Sequence, residues 1–296
     1  MSAALLLLPD FLLIALGAAL ARLRGFVPSF WNGVERLVYY VLFPALLFRS
    51  LATSPLAFGD ASRLIAVGLM FTGTGMALSA LAAPLFRLPQ PTFAACFQCA
   101  FRFNTYVAFA AATRIGGAGA VAAMSLLVGV LVPVVNVAAV AMLVRGGDAR
   151  MIPALVRNPL VLACATGIAW NALRLPLPAL PAHILELLAA AAVPLGLLAV
   201  GAGLRFTRGT LPWPALAWWQ VTKLAIVPAV ALVAANALGL APAERQVAVI
   251  LASVPTATSA YILAMQMNGV GAPVALLIST GTLLAVATLP LWMAAL

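Results

Sequence analysis

Apolar residues run along this chain in blocks of about 20, the length an α-helix needs to cross the hydrocarbon core of a bilayer. The blocks fall near residues 4–21, 35–53, 62–84, 92–113, 118–144, 155–173, 183–203, 213–238, 245–268 and 272–295. This pattern predicts ten membrane-spanning helices and an all-α integral membrane protein. Only short polar connections separate the blocks, and no long hydrophilic domain, low-complexity tract or flexible linker interrupts them. Composition excludes a water-facing surface. Of 296 residues, 65% are hydrophobic and 7% charged, with a mean hydropathy of +1.16, whereas soluble domains carry about 25% charged residues.

A second pattern lies over the first. Pro9, Gly17, Pro28 and Pro44 recur 150 residues later as Pro159, Gly167, Pro178 and Pro194, and Thr72 recurs as Thr222. Five spans in each half reverse the direction of the second half, which gives the inverted-topology repeat of many secondary transporters. The division expected is a first five-helix repeat over 1–144, a short cytoplasmic connection over 145–154, and an inverted repeat over 155–296.

The net charge is +10, from 16 basic and six acidic residues. On a soluble protein this would raise the question of nucleic acid. Here the arginines are scattered singly through short connections, and no nucleic-acid partner is expected. Alternate connections carry nine arginines (22, 24, 36, 87, 145, 150, 157, 205 and 208) against five (49, 63, 114, 174 and 245). Because cytoplasmic loops are enriched in Lys and Arg, the N-terminus is expected outside and the central connection in the cytoplasm of a plasma (inner) membrane. The N-terminal block lacks a basic leader and continues past Asp10 to Leu20, so it reads as a retained first helix rather than a signal peptide. Cys96, Cys99 and Cys164 sit in apolar helical stretches, and the single histidine is His183. These residues supply no second ligand pair, so packing is expected and neither a metal nor a cofactor is.

Two spans are polar where lipid would favour apolar residues. The fourth contains Gln98, Arg102, Asn104, Thr105 and Tyr106; the ninth contains Ser253, Pro255, Thr256, Thr258, Ser259 and Tyr261. At the repeat distance Thr105 falls on Pro255, so the two clusters are the same element in each half. Interrupted helices at equivalent positions are the best sequence pointer to a transporter's binding site, although polar side chains also join helices to one another. Arg102 and Lys223, the only lysine, fall inside spans. A central charge costs about 3 kcal/mol on insertion scales and usually faces a cavity or a partner. Asp10 is the one acid placed within a span, so cations outnumber the anions that could neutralise them. A bound anion would restore the balance, with Arg102 and Lys223 attracting it and Asn104, Thr105, Thr256 and Ser259 orienting it. Snorkelling of Lys223 to an interface and a structural hydrogen bond from Arg102 are the alternatives. Tyr106 and Tyr261 would line or cap the site.

The segment Arg102-Phe-Asn-Thr-Tyr106 resembles the fourth span of the auxin efflux carrier family, which includes bacterial relatives of the plant PIN auxin carriers. Pro255-Thr-Ala-Thr-Ser-Ala-Tyr261 and the residues following it to Met267 resemble that family's ninth span, and Pro9 to Gly17 has the family's opening style. The resemblance runs along essentially the whole chain. It implies a ten-helix fold of two inverted five-helix repeats, shared with bile-acid sodium symporters, in which helices four and nine break and cross beside the substrate. By position, Asn104, Thr105 and Pro255 would form the crossing. The implied function is secondary transport of small organic anions, auxin- or malonate-like mono- or dicarboxylates, by alternating access.

Coupling to Na⁺ or H⁺ and uncoupled uniport are all compatible with the sequence. Asp10, Gln98 and Thr258 are the candidate coupling residues. The lipid bilayer and a small anion are the expected partners, with a homodimer as a further possibility. One histidine and no close pair of membrane carboxylates argue against an enzyme. A non-transporting sensor with a carrier fold and a ten-helix exporter of another family are the remaining readings.

Overall fold

Proline sets the boundaries of many of the helices. The computed structural model describes residues 3–53, 58–143, 159–206, 211–266 and 270–296; these are overwhelmingly helical, with no strand among them. The connection at 145–154 lies outside the described residues. Helix α1 spans Ala3–Leu20, and α2 spans Pro28–Leu37. A π-helical turn over Val38–Leu42 runs without interruption into α3, Phe43–Thr53. Helix α4 covers Phe58–Phe86 and α5 covers Gln90–Phe97, followed by a 3₁₀ turn at Gln98–Ala100. Helix α6, Thr105–Leu143, bends where Gly117 takes the positive φ of 57°. Then come α7 (Pro159–Ala172), α8 (Ala179–Ala202) and α9 (Trp213–Val221). A second π turn, Thr222–Ile226, leads into α10, Val227–Ala237. The chain closes with α11 (Pro242–Ser253), α12 (Ser259–Gln266) and α13 (Gly271–Ala294).

Helices α2, α5, α9 and α11 each carry a proline in their first two positions. The N–H that proline lacks is unpaired there in any helix, so the residue costs nothing and presets φ. This is why the second apolar span starts at Pro28, seven residues before the hydropathy pattern places it. Interior prolines act differently. Both π turns end two residues before a proline, Pro44 or Pro228. Widening the turn relieves the clash between the proline ring and the carbonyl four residues back. For Pro228 that carbonyl belongs to Leu224, and the indole N–H of Trp292 donates to it at 2.8 Å.

Six described stretches are long and apolar enough to cross a membrane: Pro28–Thr53, Ser62–Phe86, Gly116–Leu143, Ala179–Ala202, Trp213–Ala237 and Gly271–Ala294. Leu7–Leu20 and Pro159–Ala172 are shorter apolar helices. The exterior of these helices is apolar, with Leu12, Leu16, Leu85, Leu187, Leu283 and Val286 exposed, whereas Asp10, Gln98, Arg102, Asn104, Lys223 and Thr256 are buried. Polar groups inside and leucines outside are stable only where lipid is the solvent.

With lipid outside, helices gain little by hiding apolar surface from one another, and close backbone packing replaces that force. Helix α1 packs along α8 and α3 along α7. A Cβ on Gly17 would lie 2.0 Å from the Leu198 carbonyl oxygen, and one on Gly201 would lie 1.8 Å from that of Ile14. On α7, a Cβ on Gly167 would come within 2.9 Å of the Phe48 carbonyl oxygen. Gly201→Ala should therefore separate α1 from α8 and destabilise the fold by about 1–3 kcal/mol. Thermal unfolding in detergent will show a lowered Tm for this variant, and no such loss for Gly73→Ala, where a Cβ meets nothing within 4 Å.

Candidate functional site

Two helices stop in the interior of the protein. After α5 and its 3₁₀ turn, residues 101–104 leave helical geometry before α6 begins. After α11, residues 254–258 do the same before α12. Pro255 accounts for the second break, since it lacks an N–H and forces the residue before it into an extended conformation; Val254 has ψ of 150°. Asn104 restarts the first helix as its N-cap. Its Oδ1 accepts from the backbone N–H groups of Tyr106 at 3.1 Å and Val107 at 3.3 Å, satisfying donors that a helix start leaves open.

The breaks are bonded to each other. The Asn104 backbone N–H donates to the Pro255 carbonyl at 2.8 Å. Thr256 Oγ1 donates to the Cys99 carbonyl at 2.6 Å, and Gln98 Nε2 donates to the Ala260 carbonyl at 3.0 Å. Arg102 completes the junction. One guanidinium nitrogen donates to Ser259 Oγ at 3.0 Å and the other to Asn136 Oδ1 at 2.6 Å. Both acceptors are neutral. Arg102 Nε and Asn104 Nδ2 are buried without a hydrogen-bond partner.

The C-terminal ends of the two interrupted helices are also covered. Lys223, carried on the π turn between α9 and α10, donates from Nζ to the Ala252 carbonyl in the last turn of α11 at 2.9 Å. A cation there opposes the negative end of the helix dipole. On the other side, Ser79 Oγ donates to the Phe97 carbonyl at 2.7 Å while accepting from the Trp219 indole N–H at 2.8 Å.

A cavity of about 730 Å³ opens beside the junction. Arg102, Asn104, Thr105, Tyr106, Thr258 and Ser259 all line it. Sequence reasoning singled out each of these. The same cavity is lined by Asn136, Tyr39 and Glu35, which that reasoning did not select as site residues. Asn136 had a signal, an isolated amide in an apolar run just after Pro133. Glu35 had none, because the hydropathy pattern put it at the start of a span rather than two turns inside α2. Thr256, Gln98 and Lys223 are not brought to the cavity wall; Thr256 Oγ1, Gln98 Nε2 and Lys223 Nζ hold the junction instead. Asp10 does not line it either and forms a two-pronged ion pair with Arg114 at 2.6 and 2.9 Å.

Tyr261 faces elsewhere. It lines a second cavity, also of about 730 Å³, together with Arg22, Arg205 and Trp31. The Arg205 guanidinium lies 5.8 Å from the centre of the Tyr261 ring. The two cavities share Asn32, Glu35, Thr258 and Ile262 as a common wall.

Apolar helices facing outward around this polar, cationic interior make the chain a multi-pass integral membrane protein. Residues 149–293, the second half of the chain, match the membrane transport protein family, that of the auxin efflux carriers. The match supports a membrane transporter of the auxin efflux carrier family. No curated protein matches it.

Roles in holding the junction and in facing the cavity separate by mutation. Thr256→Val keeps the side-chain shape but leaves the Cys99 carbonyl without its donor, which should cost about 1–3 kcal/mol of stability. Thr105→Ala, at a side chain that lines the cavity, should change stability by no more than about 0.5 kcal/mol. Thermal unfolding in detergent measures the two effects.

Proposed function

We propose that the protein is a secondary carrier of small organic anions that works by alternating access at the junction of the two interrupted helices. One observation carries this reading: Arg102 lines the cavity at the break, held by the neutral groups of Asn136 and Ser259, with no carboxylate among its hydrogen-bond partners. A buried cation without a counter-ion is costly, and an anionic substrate supplies the missing charge. The half-helices α6 and α12 both start at the junction, and helix N-termini favour anions through their free N–H groups and dipole. Asn104, Thr105 and Ser259 would orient the substrate's carboxylate, while Tyr106 and Phe43, whose ring centres lie 4.8 Å apart, would pack on its apolar part. A cavity of this size suits a small mono- or dicarboxylate.

Alternating access needs two halves that can exchange roles, and the packing supports an inverted repeat of five spans each. Adding 150 to both members of the Gly17–Leu198 contact, with the sequence taken cyclically in halves, corresponds to the Gly167–Phe48 contact: Gly17 maps to Gly167 and Phe48 maps to Leu198. Each first helix of a half thus packs on the second helix of the other. Six long apolar stretches, two shorter ones and two interrupted ones supply the ten spans of this reading. On the arginine distribution, the N-terminus lies outside the plasma (inner) membrane and both cavities lie in its cytoplasmic half.

Arg102→Gln should reduce uptake of malonate and indole-3-acetate into proteoliposomes by at least about thirtyfold, the low end for truncating one partner of a buried charge pair, while the Tm shows that the protein remains folded. Uptake equal to wild type would overturn the electrostatic basis of the reading. Binding without uptake in wild type would identify a sensor instead of a carrier.

A further inference from the structure

Four arginines and one carboxylate line the two cavities: Arg36 and Arg102 in the first, Arg22 and Arg205 in the second, and Glu35 in the wall common to both. The described carboxylates Asp10 and Glu186 are held in ion pairs with Arg114 and Arg49. Glu35 makes no hydrogen bond or close ion pair with any of these arginines, although Arg205 lies within electrostatic reach. It is half-buried on α2, one turn before the π turn whose Tyr39 and Tyr40 line the same cavity as Arg102.

An ionised carboxylate in that position conflicts with the cavity's task. It draws on the same positive field that attracts the substrate, and it repels an arriving carboxylate. Two negative groups sharing a small site cannot both ionise freely. The structure offers a way out, because Glu35 reaches both cavities and can exchange a proton with water in either.

We propose that Glu35 is the proton-carrying residue of the carrier, taking one proton from water as the anion binds and returning it to water when the anion leaves. This rests on the carrier reading above and names its coupling ion. The proton forms an O–H bond on the Glu35 carboxylate and breaks the same bond on release, so charge and atoms balance. A monovalent anion then moves with one proton and no net charge. By linkage, a bound anion favours protonated Glu35, and lower pH tightens anion binding to the same degree.

The groups that set this response come from every element around Glu35. Arg36, Tyr39 and Tyr40 belong to its own helix and the π turn that follows. Arg102 approaches from the break, Tyr106 from α6, Arg205 from beyond α8, Arg22 from the end of α1, and Tyr261 from α12. None of these but Glu35 is a carboxylate, so Glu35 is the group whose neutralisation makes room for a second negative charge.

The test uses the full-length protein in detergent, with malonate and indole-3-acetate binding measured between about pH 5 and 8. Proton uptake is followed at the same time in weak buffer. Wild type should bind up to about tenfold tighter per unit fall in pH and take up one proton per anion. Glu35→Gln should lose both the pH slope and the proton uptake, and Glu35→Asp should restore them. Ionisation of the probe itself would persist in Glu35→Gln, so the difference between the proteins isolates the side chain. A Glu35→Gln variant that keeps the wild-type slope and proton uptake overturns the proposal and leaves the carrier reading standing. Failure of folded wild type to bind either anion at any pH removes the carrier reading and this proposal with it.

Discussion

A helix that breaks inside a bilayer exposes backbone donors and acceptors where no bulk water can satisfy them, and the rest of this structure follows from how those groups are paired. Each break solves the problem with the other. The Asn104 N–H meets the Pro255 carbonyl, Thr256 meets the Cys99 carbonyl, and Gln98 reaches the Ala260 carbonyl. The junction therefore needs both interruptions at the same depth. It also needs the ends behind them covered, which Lys223 does for α11 and Ser79 for α5. Buried and unpaired at the junction are the donors Arg102 Nε and Asn104 Nδ2 and the acceptor Gln98 Oε1. The positive charge that Arg102 brings to the cavity wall is the basis of the anion carrier proposed above.

The same pairing suits the alternating access proposed above. The hydrogen bonds run between the two interrupted helices, so they can travel together as one body. The cavity walls opposite them come from α2 and the π turn at Val38–Leu42, which carries Tyr39 and Tyr40. The glycine contacts of α1 with α8 and α7 with α3 bind the helices of that opposing side to one another. Movement between the two groups would change access without breaking the junction.

Much of this is legible in the sequence because the bilayer is an unforgiving solvent. A run such as Gln98 to Tyr106 inside an apolar stretch has few explanations, and Pro255 fixes where its partner must break. What cannot be read there is distance across the chain. Lys223 looks like a second substrate cation because its type and depth match those of Arg102; only the fold assigns it to the Ala252 carbonyl. Asp10 looks like a coupling acid until Arg114, 104 residues away, is found beside it. Glu35 was concealed by hydropathy. Averaging over the polar residues Asn32, Glu35 and Arg36 delays the apparent start of the span, whereas Pro28 starts the helix a full turn and more earlier. The π turns leave no mark of their own, though each precedes a proline that would otherwise have predicted a simple kink.

In the proposed carrier the anion's carboxylate sits against Arg102 at the junction of the interrupted helices. A crystal structure with bromomalonate, using the anomalous signal of bromine to locate it, tests this most directly. A bromine peak is expected in the cavity lined by Arg102, Asn104 and Ser259, with a carboxylate within hydrogen-bond distance of the Arg102 guanidinium. A peak confined to the cavity of Arg22 and Arg205, with Arg102 untouched, would contradict it.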